Sequence, residues 1–193
     1  MAAFPDKPIR LIVAFPPGSS TDIVARIVGQ KMSIALGQPV VVENRAGAGG
    51  AIGTEVAVKA APDGYTLLLS SAGPIVINPS LYPALGYDPL KTLVPITFIA
   101  SSALVLVTHP SVPATSVKQL IALARARPGK LTYGSGGSGS PPHLTAELFK
   151  TEAAIDITHI PFKGSAPSVL ALVGGQIDLS FSTAVIVLPQ VNA

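Results

Sequence analysis

Every apolar run in this chain is short, and nearly all of them stop at a cluster of Gly, Pro or Ser that opens into a helical pattern. The longest span five or six residues, such as Leu11 to Phe15 and Ala184 to Leu188. Runs of that length suit strands covered on both faces and fall far short of the ~18 apolar residues of a membrane-spanning helix. The chain is therefore predicted to alternate strand and helix as an α/β protein. Its mean hydropathy of +0.54 does not contradict this, because it reflects a charged fraction of only 12%, about half the usual ~25%.

The alternation can be followed residue by residue. Ile9 to Phe15 reads as a strand, stopped by Pro16-Pro17-Gly18. Ser20 is placed to cap a helix running through Asp22, with apolar residues at 24, 27, 28, 32, 35 and 36 as its buried face. Gly37 ends that helix and a strand begins at Val40. A Gly-rich stretch from Asn44 to Gly53 leads to a helix expected from about Thr54 to Ala61, then a strand from Tyr65 to Ser70. Residues 79–95 hold four prolines and are expected to be irregular. Phe98 to Thr108 reads as a strand, Ser116 to Arg127 as a helix, Leu131 to Tyr133 as a strand and Leu144 to Thr151 as a helix. Ile155 to Ile160 and Ile177 to Phe181 complete the strands, with a helix at Ala166 to Val173 between them and another opening at Ala184. The order suggests two similar α/β lobes, residues 1–100 and 101–193.

Three segments share one design: an apolar strand, a loop of small residues, and a helix start. They are Phe15 to Asp22, Ser70 to Ile75 and Gly134 to His143. Unpaired amides and the macrodipole make a helix start a ready anion site, and in open α/β sheets such loops line the carboxyl edge. Any α/β protein has loops of this kind, but three together favour a small anionic ligand. Gly134-Ser135-Gly136-Gly137-Ser138-Gly139 also matches G-x-G-x-x-G, with Asp156 about 20 residues on, so a nucleotide-binding enzyme is the alternative. Two prolines, Pro141 and Pro142, follow the loop at once and count against it.

Other chemistries are poorly supplied. The chain has no Cys and three His, with no H-x-x-x-H pair and no carboxylate cluster, so no metal site or cofactor is expected. The hydrolase pattern G-x-S-x-G is missed at Ser140. His159 reads as a satisfied strand residue, and only His143, at a helix start, is placed near a ligand. Asp22 reads first as a helix N-terminal charge, Lys163 as a surface turn and Asp178 as a turn support. Thirteen basic residues are scattered singly and aromatics make up 5%, which argues against nucleic acid.

Several strings carry a family likeness. Pro5-Asp6-Lys7-Pro8-Ile9-Arg10, Phe15-Pro16-Pro17-Gly18, Ser20-Thr21-Asp22, Val42-Glu43-Asn44-Arg45-Ala46-Gly47, Ala61-Pro62-Asp63-Gly64-Tyr65, Pro142-His143-Leu144, Pro161-Phe162-Lys163-Gly164 and Gly174-Gly175-Gln176-Ile177-Asp178 resemble the tripartite tricarboxylate transporter receptors, TctC or Bug-type. That resemblance implies a two-lobed, periplasmic-binding-protein-like (type II) clamshell that is not an enzyme and binds a small carboxylate, a di- or tricarboxylate or an aromatic acid, in an interlobe cleft. It also implies a periplasmic location, with the signal peptide absent from this chain, and delivery to a membrane permease. The ligand residues it points to are Phe15, Pro17, Gly18, Ser19, Ser20, Thr21 and Asp22, then Ala72 and Ile75, then Gly134, Ser138 and His143, with Phe181 and Ser182. Two departures are expected to matter. Ser19 stands where the family usually has Gly, which would narrow backbone approach if position 19 needs a positive φ. The family also continues past the equivalent of residue 193, so the C-terminal return to lobe 1 is expected to be missing.

Overall fold

The first unit is organised by β1 (Ile9–Val13), whose apolar side chains leave Ile12, Val13 and the following Ala14 with no exposed surface. A strand covered on both faces must be central, and the computed structural model, which describes residues 4–191, places it so. β1 pairs in parallel with β2 (Val40–Asn44) on one side and β3 (Thr66–Leu69) on the other, in the order β2-β1-β3. Strand residues alternate between faces. Leu11 and Val13 meet Ala25 of α1 (Ser20–Leu36) in one apolar cluster. On the other face α2 (Ala51–Val58) presses onto the end of β1. A Cβ at Gly53 would lie 2.4 Å from the Arg45 carbonyl oxygen and 2.6 Å from the Ala14 Cα, so only glycine lets α2 come this close. Beyond β3 the chain makes a π-helical turn at Gly73–Ile77, then α3 (Asn78–Leu81) and α4 (Pro89–Thr92), each a single turn.

The chain divides between Phe98 and Ile99. In the second unit β4 (Leu104–Thr108), β5 (Thr132–Ser135), β6 (Thr158–Pro161) and β7 (Leu179–Thr183) form one sheet in the order β4-β7-β5-β6. β7 is parallel to β5 and antiparallel to β4, whose register runs from Leu104 opposite Thr183 to Thr108 opposite Leu179. α5 (Val117–Ala126) and α6 (Pro141–Ala153) supply Leu120, Ala124 and Ala146 to a core with Leu131, Tyr133, Ile157, Leu179 and Phe181. α7 (Ser165–Val173) carries a second cluster, Ala171 and Leu172 with Ile177 and Val107. α8 (Ala184–Val191) follows β7 directly.

Several expected boundaries move. Ser19, not Ser20, caps α1, its Oγ accepting the Asp22 amide at 3.2 Å. The apolar face predicted for α1 is buried only in part: Val24, Val28 and Met32 are half-buried, with Val24 packed on the Leu11 and Val13 cluster, and Asp22, Ala25 and Gly29 are buried beside them, while Ile27, Ala35 and Leu36 are exposed. Ala25, with no exposed surface, lies in the cluster with Leu11 and Val13, and Asp22 is held inward by its hydrogen bonds. α2 starts at Ala51, three residues before expectation, because a turn of 3-10 helix at Ala48–Gly50 feeds straight into it. The strand expected from Phe98 begins only at Leu104, and α6 begins at Pro141 rather than Leu144. Proline has no amide to lose in a first turn, so it starts a helix well.

Candidate functional site

In the first unit the parallel register brings the carboxyl ends of all three strands to one edge, with Val13 beside both Asn44 and Leu69. Residues 14–19 run from β1 into α1 along that edge. Gly18 has φ +77° and Ser19 φ −70°, so the strained position lies at the glycine. The serine at 19 costs no backbone strain and supplies the cap.

The Asp22 side chain is the anchor of this loop. It is 2% exposed, and protein donors meet both of its oxygens. Oδ2 accepts from the Gly18 amide and Arg26 Nε, each at 3.0 Å, and Oδ1 accepts from Asn44 Nδ2 at 2.9 Å and lies 3.0 Å from Arg26 Nη2. Asn44 Nδ2 also donates to the Phe15 carbonyl at 2.9 Å, which ties the start of the loop to the end of β2. Burial alone would raise the Asp22 carboxyl. The Arg26 guanidinium, the Gly18 amide and Asn44 outweigh it and hold the group ionised below its ordinary range. Asp22 therefore has its charge matched internally by Arg26. The amides of Ser20 and Thr21 donate to no acceptor among the described residues. With their own hydroxyls they form a cluster of donors at a positive helix end.

The neighbouring loop adds to this edge. Ser70 and Ser71 at the end of β3 have buried hydroxyls without a hydrogen-bond partner among the described residues. Ala72 is exposed and Ile75 half-buried. This loop does not enter an ordinary α-helix, since the turn at Gly73–Ile77 is π-helical with Pro74 in its first turn. The two serines lie in the Ser70 to Ile75 segment singled out in the sequence, where only Ala72 and Ile75 were named as ligand residues. Their signal was a pair of hydroxyl residues directly after an apolar strand.

In the second unit Gly134, Ser138, His143, Phe181 and Ser182 fall along the carboxyl edge of β5 and β7 but differ in environment. Gly134 is buried within β5. Phe181 belongs to the core and packs edge-on to Phe149 at 5.6 Å. Ser182 is 1% exposed and its hydroxyl has no partner among the described residues. Ser138 is exposed at the crest of the loop. His143 is half-buried and its Nδ1 accepts the Gly139 amide at 3.1 Å.

This loop is not a nucleotide cradle. Pro141 and Pro142 occupy the first turn of α6 and remove two of the amides on which a pyrophosphate would rest. Asp156 precedes β6, at the edge of the sheet opposite the glycine loop, where its carbonyl accepts the Gly129 amide. A ribose-binding carboxylate belongs near the phosphate loop, so the G-x-G-x-x-G match is coincidental. Donors come instead from the loop itself. The amides of Gly136, Ser138 and His143 have no acceptor among the described residues. Asp178 accepts from the Thr132 amide and hydroxyl at 2.7 and 2.9 Å and so supports the start of β5, away from this edge. Lys163 is exposed. Among the described residues there is no group of three or more His, Cys, Asp or Glu that could hold a metal ion, and no helix is long and apolar enough to cross a membrane.

Known proteins resemble this chain along nearly all of its length. BugT of Bordetella pertussis is 44% identical over 191 residues, 98% of this chain and 59% of that protein. A solved R. palustris protein with adipate is 36% identical with a TM-score of 0.96, covering 98% of this chain and 63% of that one. MatC from Rhodopseudomonas palustris with bound malate is 30% identical with a TM-score of 0.91, covering 98% and 64%. The chain thus spans about 60% of the length of these relatives. Residues 24–193 match the tripartite tricarboxylate transporter family receptor, TctC. The periplasmic-binding-protein-like α/β fold and this match over most of its length agree, and the chain belongs to the TctC receptor family.

Proposed function

We propose that this chain is the solute-recognising part of a periplasmic receptor for a small carboxylate, non-enzymatic, which hands its ligand to the membrane permease of a tripartite transporter. The observation that carries the reading is the α1 start. Two free amides and two hydroxyls, at Ser20 and Thr21, stand over a buried Asp22 whose charge Arg26 already offsets. An arriving carboxylate finds donors there, and the buried acid is engaged elsewhere. In this reading Phe15, Pro17 and Ile75 are the apolar flank, Ser19 and Asp22 hold the loop, and Gly18 lets it turn. In the second unit the Ser138 amide and hydroxyl are the exposed donors, and the buried Ser182 hydroxyl is a further unpartnered group among the described residues. Solved relatives carrying adipate and malate support a carboxylate of that class.

Acid–base catalysis has little to work with, because the carboxylate and imidazoles at these edges are held by protein partners. The test is a thermal-shift and calorimetric panel of C4 to C9 mono-, di- and aromatic carboxylates, with NAD as control. A carboxylate-specific rise in melting temperature, abolished by Ser138→Leu with an unchanged far-UV spectrum, is expected. A shift with NAD and none with any acid would overturn the reading.

A further inference from the structure

A column of three rings stands behind the 135–139 loop. Tyr133 of β5 stacks on His159 of β6 with centroids 4.8 Å apart, and His159 stacks on His143 of α6 at 4.2 Å. Each histidine holds one end of the loop. His143 Nδ1 accepts the Gly139 amide at 3.1 Å. His159 Nε2 lies 2.7 Å from Ser135 Oγ, and that same oxygen accepts the Gly137 amide at 3.1 Å. An imidazole nitrogen that accepts an amide proton carries none of its own, so His143 is neutral in this arrangement. The Ser135 hydroxyl proton has two acceptors in reach, His159 Nε2 at 2.7 Å and the Gly137 carbonyl at 3.2 Å; donated along the shorter contact, it makes the second ring a neutral acceptor as well.

We propose that His143 and His159 are positioning residues of the carboxylate site, two neutral imidazoles that fix the Ser135–Gly139 turn and release it on protonation. The inference rests on the receptor reading above, and it moves His143 from ligand contact to strut. A proton on His143 Nδ1 would face the Gly139 N–H, donor against donor. A second proton on His159 would stack two cations about 4 Å apart.

The charged surroundings of the column are few. On α6, Glu147 accepts the Tyr133 hydroxyl, and Lys150 pairs with Glu147 at 3.0 Å. β7 and α7 contribute no titratable side chain, and Arg125 of α5 sits at the far end of α6 on the Ala153 carbonyl. Burial, with Lys150 adding to it, lowers the His143 imidazole against the pull of Glu147. Burial and then His143 hold His159 down at about 4. His143 is thus the first of the two to charge as pH falls.

Two readouts test this, and one needs no ligand. In an NMR titration of the chain from pH 8 to 4.5, the Gly139 amide is expected to shift along the His143 ring titration. In calorimetry with adipate and malate at pH 7.5, His143→Ala is expected to weaken binding by about tenfold, one hydrogen bond's worth. His143→Asn, which keeps an acceptor near the Nδ1 position but cannot titrate, is expected to recover most of that loss. Between pH 7.5 and 5.0 the native chain is expected to lose about fivefold more affinity than His143→Asn, a comparison in which the acids' own protonation cancels. A Gly139 amide that ignores the His143 titration, or equal losses in the native chain and His143→Asn, overturns the proposal. Should neither acid bind at any pH, the receptor reading fails, and the NMR titration still decides the strut.

Discussion

Among the described residues Asn44 is the side chain of β2 that bonds to the β1–α1 loop, and Asn44→Ala removes it. Its Nδ2 makes two bonds, to the Phe15 carbonyl and to Asp22 Oδ1, both at 2.9 Å. A bond to a neutral carbonyl contributes about 1 kcal/mol and one to a carboxylate about 1.5–3. Arg26 still reaches Oδ1 in the variant, so the low end applies and the expected loss is about 2–3 kcal/mol. A unit with about 5–15 kcal/mol to lose stays folded. Urea denaturation at pH 7 gives the loss, and calorimetry with adipate should show binding weakened in parallel because the Ser20 and Thr21 amides are no longer held. Asn44→Asp sharpens the test by putting a second carboxylate where Nδ2 met Asp22. Like charges at that range cannot both stay ionised cheaply, so its deficit should exceed that of Asn44→Ala at pH 7 and shrink as pH falls toward 4. A loss below about 1 kcal/mol for Asn44→Ala, or an Asp variant insensitive to pH, would refute the bracing role.

Three further outcomes follow from packing and linkage. Gly29→Ala in α1 should stabilise by about 0.5–1 kcal/mol on helix propensity, because the new Cβ meets Val40, Val42 and Leu11 side chains at 3.5–3.8 Å, ordinary contact; chemical denaturation checks it. Gly53→Ala should do the opposite by about 2 kcal/mol or more, since its Cβ meets the Arg45 and Ala14 backbones at 2.4 and 2.6 Å; a melting temperature within two degrees of native would be the wrong result. Burial and His143 depress His159 to about 4 in the fold, so its contribution is complete above the free imidazole value near 6.5 and is lost as pH falls toward 4. The full shift corresponds to about 3 kcal/mol, and partial exposure brings the expectation to about 1–2. Denaturation of the native chain and His159→Gln at pH 7 and 4.5 should differ by that amount, and parallel curves would count against it.

The alternation of elements was legible because apolar runs and small-residue stops are local signals. So was the position of the first loop, since Phe15 to Asp22 joins a strand stop to a helix cap. The inward face of α1 was legible only in part: Val24, Val28 and Met32 are half-buried as their spacing suggests, but Asp22 is buried by hydrogen bonds and charge pairing that hydrophobicity does not report, and Ile27 and Leu36 are exposed. The role of Asn44 depends on the register that sets it beside Val13, a tertiary fact absent from its neighbours in sequence. The G-x-G-x-x-G match misled because spacing cannot say on which edge Asp156 falls. His159 reads locally as a strand residue satisfied by its surroundings. Its stacking between Tyr133 and His143 joins β5, β6 and α6, and no window of the sequence holds all three.

The strand order β4-β7-β5-β6 has a consequence for how the second unit comes into being. β7 sits between β4 and β5 yet is made last of the four, about 70 residues after β4. At roughly 5–20 residues per second a ribosome needs several seconds to cover that distance. Throughout, β4 lacks its only partner and β5 has one bare edge, each a template for wrong pairing. The segment Leu179–Thr183 closes both edges at once, so β4 can join the β5–β6 pair only after that segment has been made.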